Sequence, residues 1–311
     1  MKINYKILVL NLGFILLAIF TSFSIVHYHY LESDMVEFYI KIMNFEGAAP
    51  DQYRIFPYLI LKMIVSALTI KMEYYKAVKY AILLFNMIFL YLSYILMIMY
   101  SDKNNRSYII NILVVFSMFF ILSMDGGARP IGSFYIFIIA LLMYFFLKYR
   151  KYSIGLVIAY FLLSFSRPDL AIFFILATFF YIKDNNRFVK FIGLGAIAVG
   201  AHLVTTKVFF PDASYYCKVF MLYDNLSLKF IIFTPTTYLI AAVMLLYWKK
   251  ILFFIRNTQD YRFFYATFIL YIVIILFVGR LNELRLFTPL FPMFLFILNE
   301  YLKQYNDDSS I

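Results

Sequence analysis

Carboxylates and arginines recur together in short polar strings along a chain that is otherwise apolar. The strings are DQYR with Asp51 and Arg54, SMDGGARP with Asp125 and Arg129, SRPD with Arg167 and Asp169, and GRLNELR with Arg280, Glu283 and Arg285. A carboxylate within hydrogen-bond reach of a hydroxyl group can act as a general base. A guanidinium group can hold a phosphate through two parallel hydrogen bonds. These residue types are therefore suited to transferring a group from a phosphate-linked donor.

The elements that must position these strings are membrane helices. The chain has 311 residues, of which 64% are hydrophobic and 14% charged, and its mean hydropathy is +0.83. Soluble domains are roughly 45–50% apolar and about 25% charged, so a soluble protein is excluded. At about 20 apolar residues per span, the chain has room for about ten transmembrane helices. We therefore expect an all-α, polytopic membrane protein that forms a single transmembrane domain over 1–311.

Hydropathy predicts where the spans lie. They are 7–26, 80–100, 108–124, 134–149, 154–166, 170–182, 189–210, 228–248, 263–279 and 286–302. A long first loop, 27–79, separates the first two spans. Its apolar middle, 56–70, is too short for a confident span, and we interpret it as a re-entrant or interfacial helix that dips into the membrane. A second helix is expected over 34–45, where Asp34 lies just past the first span and shares a helical face with Glu37.

The distribution of charge predicts the orientation. Placing the N-terminus and the short tail 303–311 in the cytoplasm puts most Lys and Arg residues on the cytoplasmic side, in accordance with the positive-inside rule. The long first loop and the four polar strings then lie on the outer face. Ionisable groups at membrane depth cost about 2.5–3.5 kcal/mol each, which makes a convergence of several of them a predicted functional site.

Simpler explanations exist for each of these groups. The loop-end charges can be ordinary residues in headgroup water, Arg167 can cap a broken helix pair, and Arg280 or Arg285 can extend to lipid headgroups. The string GLGAIAVG (193–200) lies inside a span, so we expect close helix packing there rather than a dinucleotide-binding loop. His202, also inside a span, is expected to form an interhelical hydrogen bond.

The order of the motifs resembles the GT-C superfamily of membrane glycosyltransferases, which use polyprenyl-phosphate sugars as donors. The matching features run in chain order over about 34–292 of this sequence. They are Asp34, Tyr39, Gly47 and Phe56-Pro57-Tyr58-Leu59 in the first outer loop, then Asp125, then Ser166-Arg167-Pro168-Asp169, and finally Glu283-Leu284-Arg285-Leu286-Phe287-Thr288-Pro289. The chain departs from the pattern, because it lacks the soluble C-terminal domain of the oligosaccharyltransferase members and has a single Pro where many members have two.

The resemblance implies an inverting transfer of a hexosyl group to a lipid-linked glycan or another cell-envelope acceptor on the exoplasmic face. Asp34 is the first candidate for the base and Asp51 the second. Candidates for holding the donor phosphate or the substrate are Arg54, Asp125, Arg129, Arg167, Asp169, Arg280, Glu283 and Arg285. The expected location is the bacterial inner membrane, with both termini cytoplasmic and the active site outside.

Partners and cofactors follow from the same considerations. The expected partners are the polyprenyl-phosphate sugar donor, the glycan or lipid acceptor and membrane lipids. Nucleic acid is not expected, because the basic residues are scattered between apolar runs. The sequence demands no metal site, although His27 and His29, close to Asp34, are of the types that could hold a divalent cation.

Two other functions remain open at this stage. A lipid-linked oligosaccharide flippase or other transporter would have a similar number of aromatic spans, but transporters usually repeat their spans internally and bind near the midplane. An O-antigen polymerase or ligase would also transfer sugars on the outer face. Such proteins normally carry a large late loop, whereas the longest late outer loop here is 211–227.

Overall fold

Helices form all the regular structure in the part of the chain that the computed structural model describes, and no strand occurs there. The described residues are 33–48, 51–102, 130–149, 153–181, 186–213, 221–227 and 262–278, with helical positions at 9, 11–13, 15, 16, 19 and 292. The all-α class predicted from the sequence is confirmed for these residues.

The described helices follow the predicted segments. In chain order they are α1 (Ser33–Met43), a 3-10 turn (Asp51–Tyr53), α2 (Ile55–Leu68), α3 (Tyr74–Asp102), α4 (Pro130–Tyr149), α5 (Ile154–Ser164), α6 (Pro168–Tyr181), α7 (Arg187–Leu203) with a π-helical extension (Val204–Phe209), α8 (Leu222–Asn225) and α9 (Arg262–Val278). The predicted spans 108–124 and 228–248 lie outside the described residues, as does nearly all of 286–302.

Two described helical stretches are long and apolar enough to cross a membrane. They are Tyr74–Met97 in α3 and Arg187–Phe209, which comprises α7 and its extension. Helices α2, α5 and α6 have 14, 11 and 14 residues. At about 1.5 Å per residue, they are shorter than a hydrocarbon layer about 30 Å thick. The count of about ten spans therefore stays a prediction.

Helices α5 and α6 form a hairpin around the SRPD string. The Ser153 side chain accepts a hydrogen bond from the Leu156 backbone N–H at 3.2 Å, which caps the start of α5. Pro168 is the first residue of α6, a position that needs no backbone N–H. The Tyr160 hydroxyl donates to the Phe174 carbonyl at 2.7 Å and ties the two helices together. The turn between them thus presents Arg167 at the tip of a braced hairpin.

Helices α4, α7 and α9 pack against this hairpin, and polar contacts occur inside the helix bundle. Helix α2 packs on α3 and α4, α5 packs on α4, and α6 packs on α7 and α9. A buried hydrogen bond of 2.7 Å from Ser133 to Asn86 joins α4 to α3. Large apolar side chains are exposed along one stripe of α3, formed by Tyr80, Leu84, Ile88 and Leu92. An apolar exterior around buried polar contacts is typical of helices surrounded by lipid.

Gly155, at the start of α5, lies in a close contact between helices. The glycines of α7 have no described atom near them. A Cβ atom on Gly155 would lie 2.4 Å from the Phe145 ring, so this glycine allows α4 and α5 to approach closely. The string GLGAIAVG is helical, as predicted. No described atom lies within 4 Å of a Cβ built on Gly193, Gly195 or Gly200. The close packing of this string among the described residues occurs at Leu194 and Ala198, which are buried, rather than at these glycines.

Helix α1 ends at Met43, short of the end predicted for it. The Glu46 backbone N–H donates to the Lys41 carbonyl at 2.8 Å, and Phe45 has a φ of 65°. This geometry closes a helix with a left-handed residue, a position usually taken by glycine. The Phe45 ring lies 5.5 Å from the Phe210 ring, so the left-handed turn places an aromatic contact between the first loop and the end of α7's extension.

Candidate functional site

The DQYR string forms a compact turn that pairs a carboxylate with a guanidinium group. Asp51–Tyr53 is a 3-10 turn, and the Arg54 backbone N–H donates to the Asp51 carbonyl at 3.1 Å. In such a turn, residues three apart eclipse one another. The Arg54 guanidinium accordingly donates to the Asp51 carboxylate in a close ion pair. The Asp51 side chain is 5% exposed and that of Arg54 is 22% exposed, so the pair lies mostly beneath the surface.

This turn docks on the SRPD turn, although the two are far apart in the sequence. The Ile55 backbone N–H donates to the Phe165 carbonyl at 3.2 Å. The Phe56 ring lies 5.9 Å from Phe161 and 5.7 Å from Phe165. A backbone hydrogen bond and an aromatic cluster thus hold the start of α2 against the end of α5. The docking brings Arg54 and Arg167 to the same side of the helices.

Two buried tyrosines lie against Arg167. Its guanidinium carbon is 5.7 Å from the centre of the Tyr135 ring and 5.8 Å from that of Tyr271. Each distance is within the range in which a guanidinium group is attracted to an aromatic face. The Tyr135 hydroxyl donates to the Ser166 carbonyl at 2.9 Å, which also fixes the backbone next to Arg167. Tyrosines from α4 and α9 therefore help to set the position of this arginine.

The environment of Arg54 keeps its side chain charged. Burial opposes the positive charge, and the like charge of Arg167 acts in the same direction. The hydroxyl groups of Tyr135 and Tyr58 and the carboxylate of Asp51 outweigh both effects. The pKa of Arg54 is therefore raised above its ordinary value.

Both arginines line one cavity of about 430 Å³. Its polar lining is Tyr53, Arg54, Ser166, Arg167 and His202, and its apolar lining is Pro168, Ile172, Ala198, Val199 and Leu203. The formal charges of Arg54, Arg167 and Asp51 add to a net positive charge, which suits an anion. A cavity of this size, mainly apolar with a few convergent polar groups, is typical of a site for a small molecule. The arrangement can hold a phosphate next to hydrocarbon.

The end of α7 supplies the opposite part of the lining. Ala198, Val199, His202 and Leu203 recur at helical spacing and so form one strip of α7. The π-helical extension follows directly, and π-helical turns occur frequently at functional sites. The Tyr53 hydroxyl donates to the Ala213 carbonyl at 3.4 Å, so the DQYR turn also reaches the segment beyond that extension.

The structure brings together three of the predicted site residues, Asp51, Arg54 and Arg167. Asp34 lies in the first turn of α1 and Asp169 in the first turn of α6, but their side chains are outside what the structure describes. The other predicted site residues lie outside the described residues, and they are Asp125, Arg129, Arg280, Glu283 and Arg285. Their roles remain predictions.

Sequence reasoning missed several groups at this cavity. His202 was expected to form an interhelical hydrogen bond, but its side chain is exposed and lines the cavity. The spacing of His202 from Ala198 and Val199 indicates that the three residues share one helical face. This spacing is the signal in the sequence that could have revealed the position of His202. Tyr135 and Tyr271 gave no local signal, because only tertiary packing brings them to Arg167.

Comparison of the chain with protein-family models, curated protein sequences and solved structures finds no match. The arrangement of Asp51, Arg54, Arg167 and the cavity is therefore the basis on which a function is proposed.

Proposed function

We propose that this chain is a GT-C-like integral-membrane glycosyltransferase. It transfers a sugar from a polyprenyl-phosphate donor to a lipid-linked glycan or another cell-envelope acceptor, on the exoplasmic face of a bacterial inner membrane. The observation that carries the proposal is the convergence of Arg54 and Arg167 on one cavity that also has an extended apolar lining.

The two halves of the cavity match the two halves of such a donor. The guanidinium groups of Arg54 and Arg167 suit the phosphate, because arginine donates several hydrogen bonds in a planar fork. Ile172, Val199 and Leu203 suit the hydrocarbon next to that phosphate. Two helical stretches long and apolar enough to cross a membrane support a substrate that is itself held in the bilayer.

The transfer assigns a role to each charged group. The acceptor oxygen attacks the anomeric carbon from one face, the bond from that carbon to the phosphate oxygen breaks, and the configuration inverts. The leaving lipid phosphate takes the electron pair of the broken bond, and Arg54 and Arg167 stabilise its charge. Asp51 orients Arg54 through their ion pair. Of the two predicted candidate bases, Asp51 is thus engaged in an ion pair, and the role of Asp34 stays a prediction.

The proposal that the cavity faces the outside of the membrane is supported by the loops that meet there. The DQYR turn contacts both the SRPD turn and the segment after α7, and all three are predicted to lie outside the membrane. An enzyme that acts at one face uses such a cluster of loops. A flippase must instead expose its site to both faces in turn.

The test is sugar transfer in membranes that contain the chain at matched protein levels. A set of radiolabelled polyprenyl-phosphate sugars serves as donors, and the wild type is compared with Arg54→Ala and Arg167→Ala. Losing one charged hydrogen-bonding group costs about 1.5–3 kcal/mol, so each variant should lose about 10- to 100-fold in kcat/KM for the donor.

The chain offers a matched control in Lys76, which pairs with Glu73 at the same spacing of three residues but in an exposed position. Lys76→Ala should transfer sugar like the wild type. If the wild type transfers no sugar from any donor but moves lipid-linked oligosaccharide across the membrane, the transferase proposal is wrong and the flippase replaces it.

A further inference from the structure

His202 is the imidazole in the described lining of the arginine cavity. It lies in the last turn of α7, on the same strip as Ala198 and Val199, and its side chain is exposed. Ala198 and Val199 line the same cavity as His202. His202 is thus placed where a bound molecule would meet it.

The backbone around His202 is fixed by its neighbours. The Thr205 hydroxyl donates to the Ala201 carbonyl at 2.7 Å, and the Thr206 hydroxyl donates to the His202 carbonyl at 2.8 Å. These bonds occur where α7 changes to a π-helix, and the Phe210 backbone N–H closes that segment by donating to Thr205 at 3.0 Å. These hydrogen bonds stabilise the last turn of α7, which carries His202.

The other polar groups of the described lining are poorly suited to accept a proton. Arg54 and Arg167 can only donate hydrogen bonds. The Ser166 hydroxyl donates to the Leu162 carbonyl at 2.7 Å, and the Tyr53 hydroxyl donates to the Ala213 carbonyl. The Asp51 carboxylate behind Arg54 is engaged in the ion pair. An imidazole, by contrast, has a ring nitrogen that accepts a proton and returns it, which is the commonest form of general base.

We propose that His202 is the general base of the sugar transfer, in place of a carboxylate of the first loop. This inference rests on the proposed function and names the residue that completes it. A ring nitrogen of His202 takes the proton of the acceptor hydroxyl while the acceptor oxygen forms its bond to the anomeric carbon. The bond from that carbon to the donor phosphate breaks, and the phosphate leaves with the electron pair towards Arg54 and Arg167. The imidazolium then releases its proton to water.

The cavity also indicates which acceptors fit. The acceptor hydroxyl must reach His202 while the donor phosphate occupies the arginines, so donor and acceptor share one cavity of about 430 Å³. The acceptor therefore inserts a single hydroxyl-bearing end, such as the terminal sugar of a glycan.

The experiment compares His202→Gln and His202→Ala with the wild type in the radiolabelled transfer assay. Removing a general base typically lowers the rate by about 10²–10⁴-fold, and the loss should appear in kcat while the donor KM is unchanged. Added free imidazole should restore part of the activity of His202→Ala, because it can occupy the vacated space. Imidazole should not restore Arg167→Ala, which lacks a phosphate contact. Lys207→Ala, an exposed change on the π-helical extension, is the control and should behave like the wild type.

Several results would overturn this inference and leave the proposed function intact. In each, the wild type transfers sugar and the arginine variants fail. One is a kcat for His202→Gln equal to that of the wild type. Another is an increase in donor KM without rescue by imidazole, which would make His202 a phosphate ligand. A third is loss of kcat in Asp34→Asn alone, which would return the role to the loop carboxylate. Absence of transfer by the wild type would overturn both proposals.

Discussion

At the scale of single residues, the pairing of Asp51 with Arg54 distinguishes two roles that a buried carboxylate can have. A general base must face the hydroxyl group that it deprotonates, whereas a positioning carboxylate faces the cation that it orients. The Asp51 side chain is 5% exposed and forms a close ion pair with Arg54, which itself lines the cavity. This geometry favours the positioning role.

Changing Asp51 to Asn tests that role. The substitution leaves Arg54 without a charged partner in a largely buried position. We expect the variant to lose about 1.5–3 kcal/mol of stability and to show a higher donor KM with little change in kcat. Thermal unfolding of the purified protein in detergent measures the first effect, and the sugar-transfer assay measures the second.

The exposed pair of Glu73 and Lys76 again provides the comparison. Its two side chains are 70% and 68% exposed, so Glu73→Gln should change stability by less than about 1 kcal/mol. A fall in the kcat of Asp51→Asn by about 10²-fold or more, without a change in donor KM, would show that Asp51 acts as the base.

The sequence predicts contacts of the site between residues that are close along the chain, but not those between residues that are far apart along it. The spacing of Asp51 and Arg54 within DQYR indicated a pair, because both residues belong to one turn. Nothing near Arg167 in the sequence indicated that Tyr135 and Tyr271 would contact it. Those rings arrive from α4 and α9, so their positions follow from helix packing, which local patterns do not encode.

At the scale of elements, hydrophobic runs predicted where helices occur better than where they end. The first turn of α5 follows a Ser cap and α6 begins at a Pro, and both are local signals. The end of α1 depends instead on Phe45 in a left-handed conformation, where glycine is the usual signal. The contact of Phe45 with Phe210 involves the distant end of the α7 extension and was not visible in the sequence.

Gly155 is the position where helix packing is most directly testable. A Cβ atom there would lie 2.4 Å from the Phe145 ring, so the ring or α5 must move. Overpacking typically costs about 1–3 kcal/mol, and the preference of a helix for alanine offsets up to about 1 kcal/mol of that cost. We therefore expect Gly155→Ala to lower the free energy of unfolding by about 1–2 kcal/mol. Unfolding in detergent and denaturant, followed by circular dichroism, gives the value.

The matched control is Gly193→Ala, since no described atom lies within 4 Å of a Cβ at that position. Alanine is favoured over glycine in a helix by up to about 1 kcal/mol, so this variant should be as stable as the wild type or more stable. The double variant Gly155→Ala, Phe145→Leu should recover part of the loss, because leucine lacks the ring atoms that meet the new methyl group. Equal stability of the two single variants would contradict the close approach of α4 and α5.

At the scale of the whole molecule, composition predicted the helical class that the described residues show, and the number of spans stays a prediction. An apolar stripe on the outside of α3 and a buried hydrogen bond between Asn86 and Ser133 accord with a chain surrounded by lipid. Hydropathy cannot tell a full span from half of a short hairpin. Helices α5 and α6 are both strongly apolar, but they have only 11 and 14 residues and are separated by the turn at Arg167. The position of that turn helps to create the cavity.

The orientation of the chain can be tested at the two ends of one helical stretch. Asn186 precedes α7 and Asp212 follows its extension, and both are exposed. At about 1.5 Å per residue, the 23 residues from Arg187 to Phe209 are long enough to separate these positions by the thickness of a membrane.

In a Cys217→Ser background, we expect a membrane-impermeant maleimide to label Asp212→Cys in intact spheroplasts, and Asn186→Cys only after lysis. Labelling of Asn186→Cys alone would invert the orientation and place the arginine cavity on the cytoplasmic side. The donor would then have to present its sugar to that side, so this outcome would also reject an exoplasmic transferase.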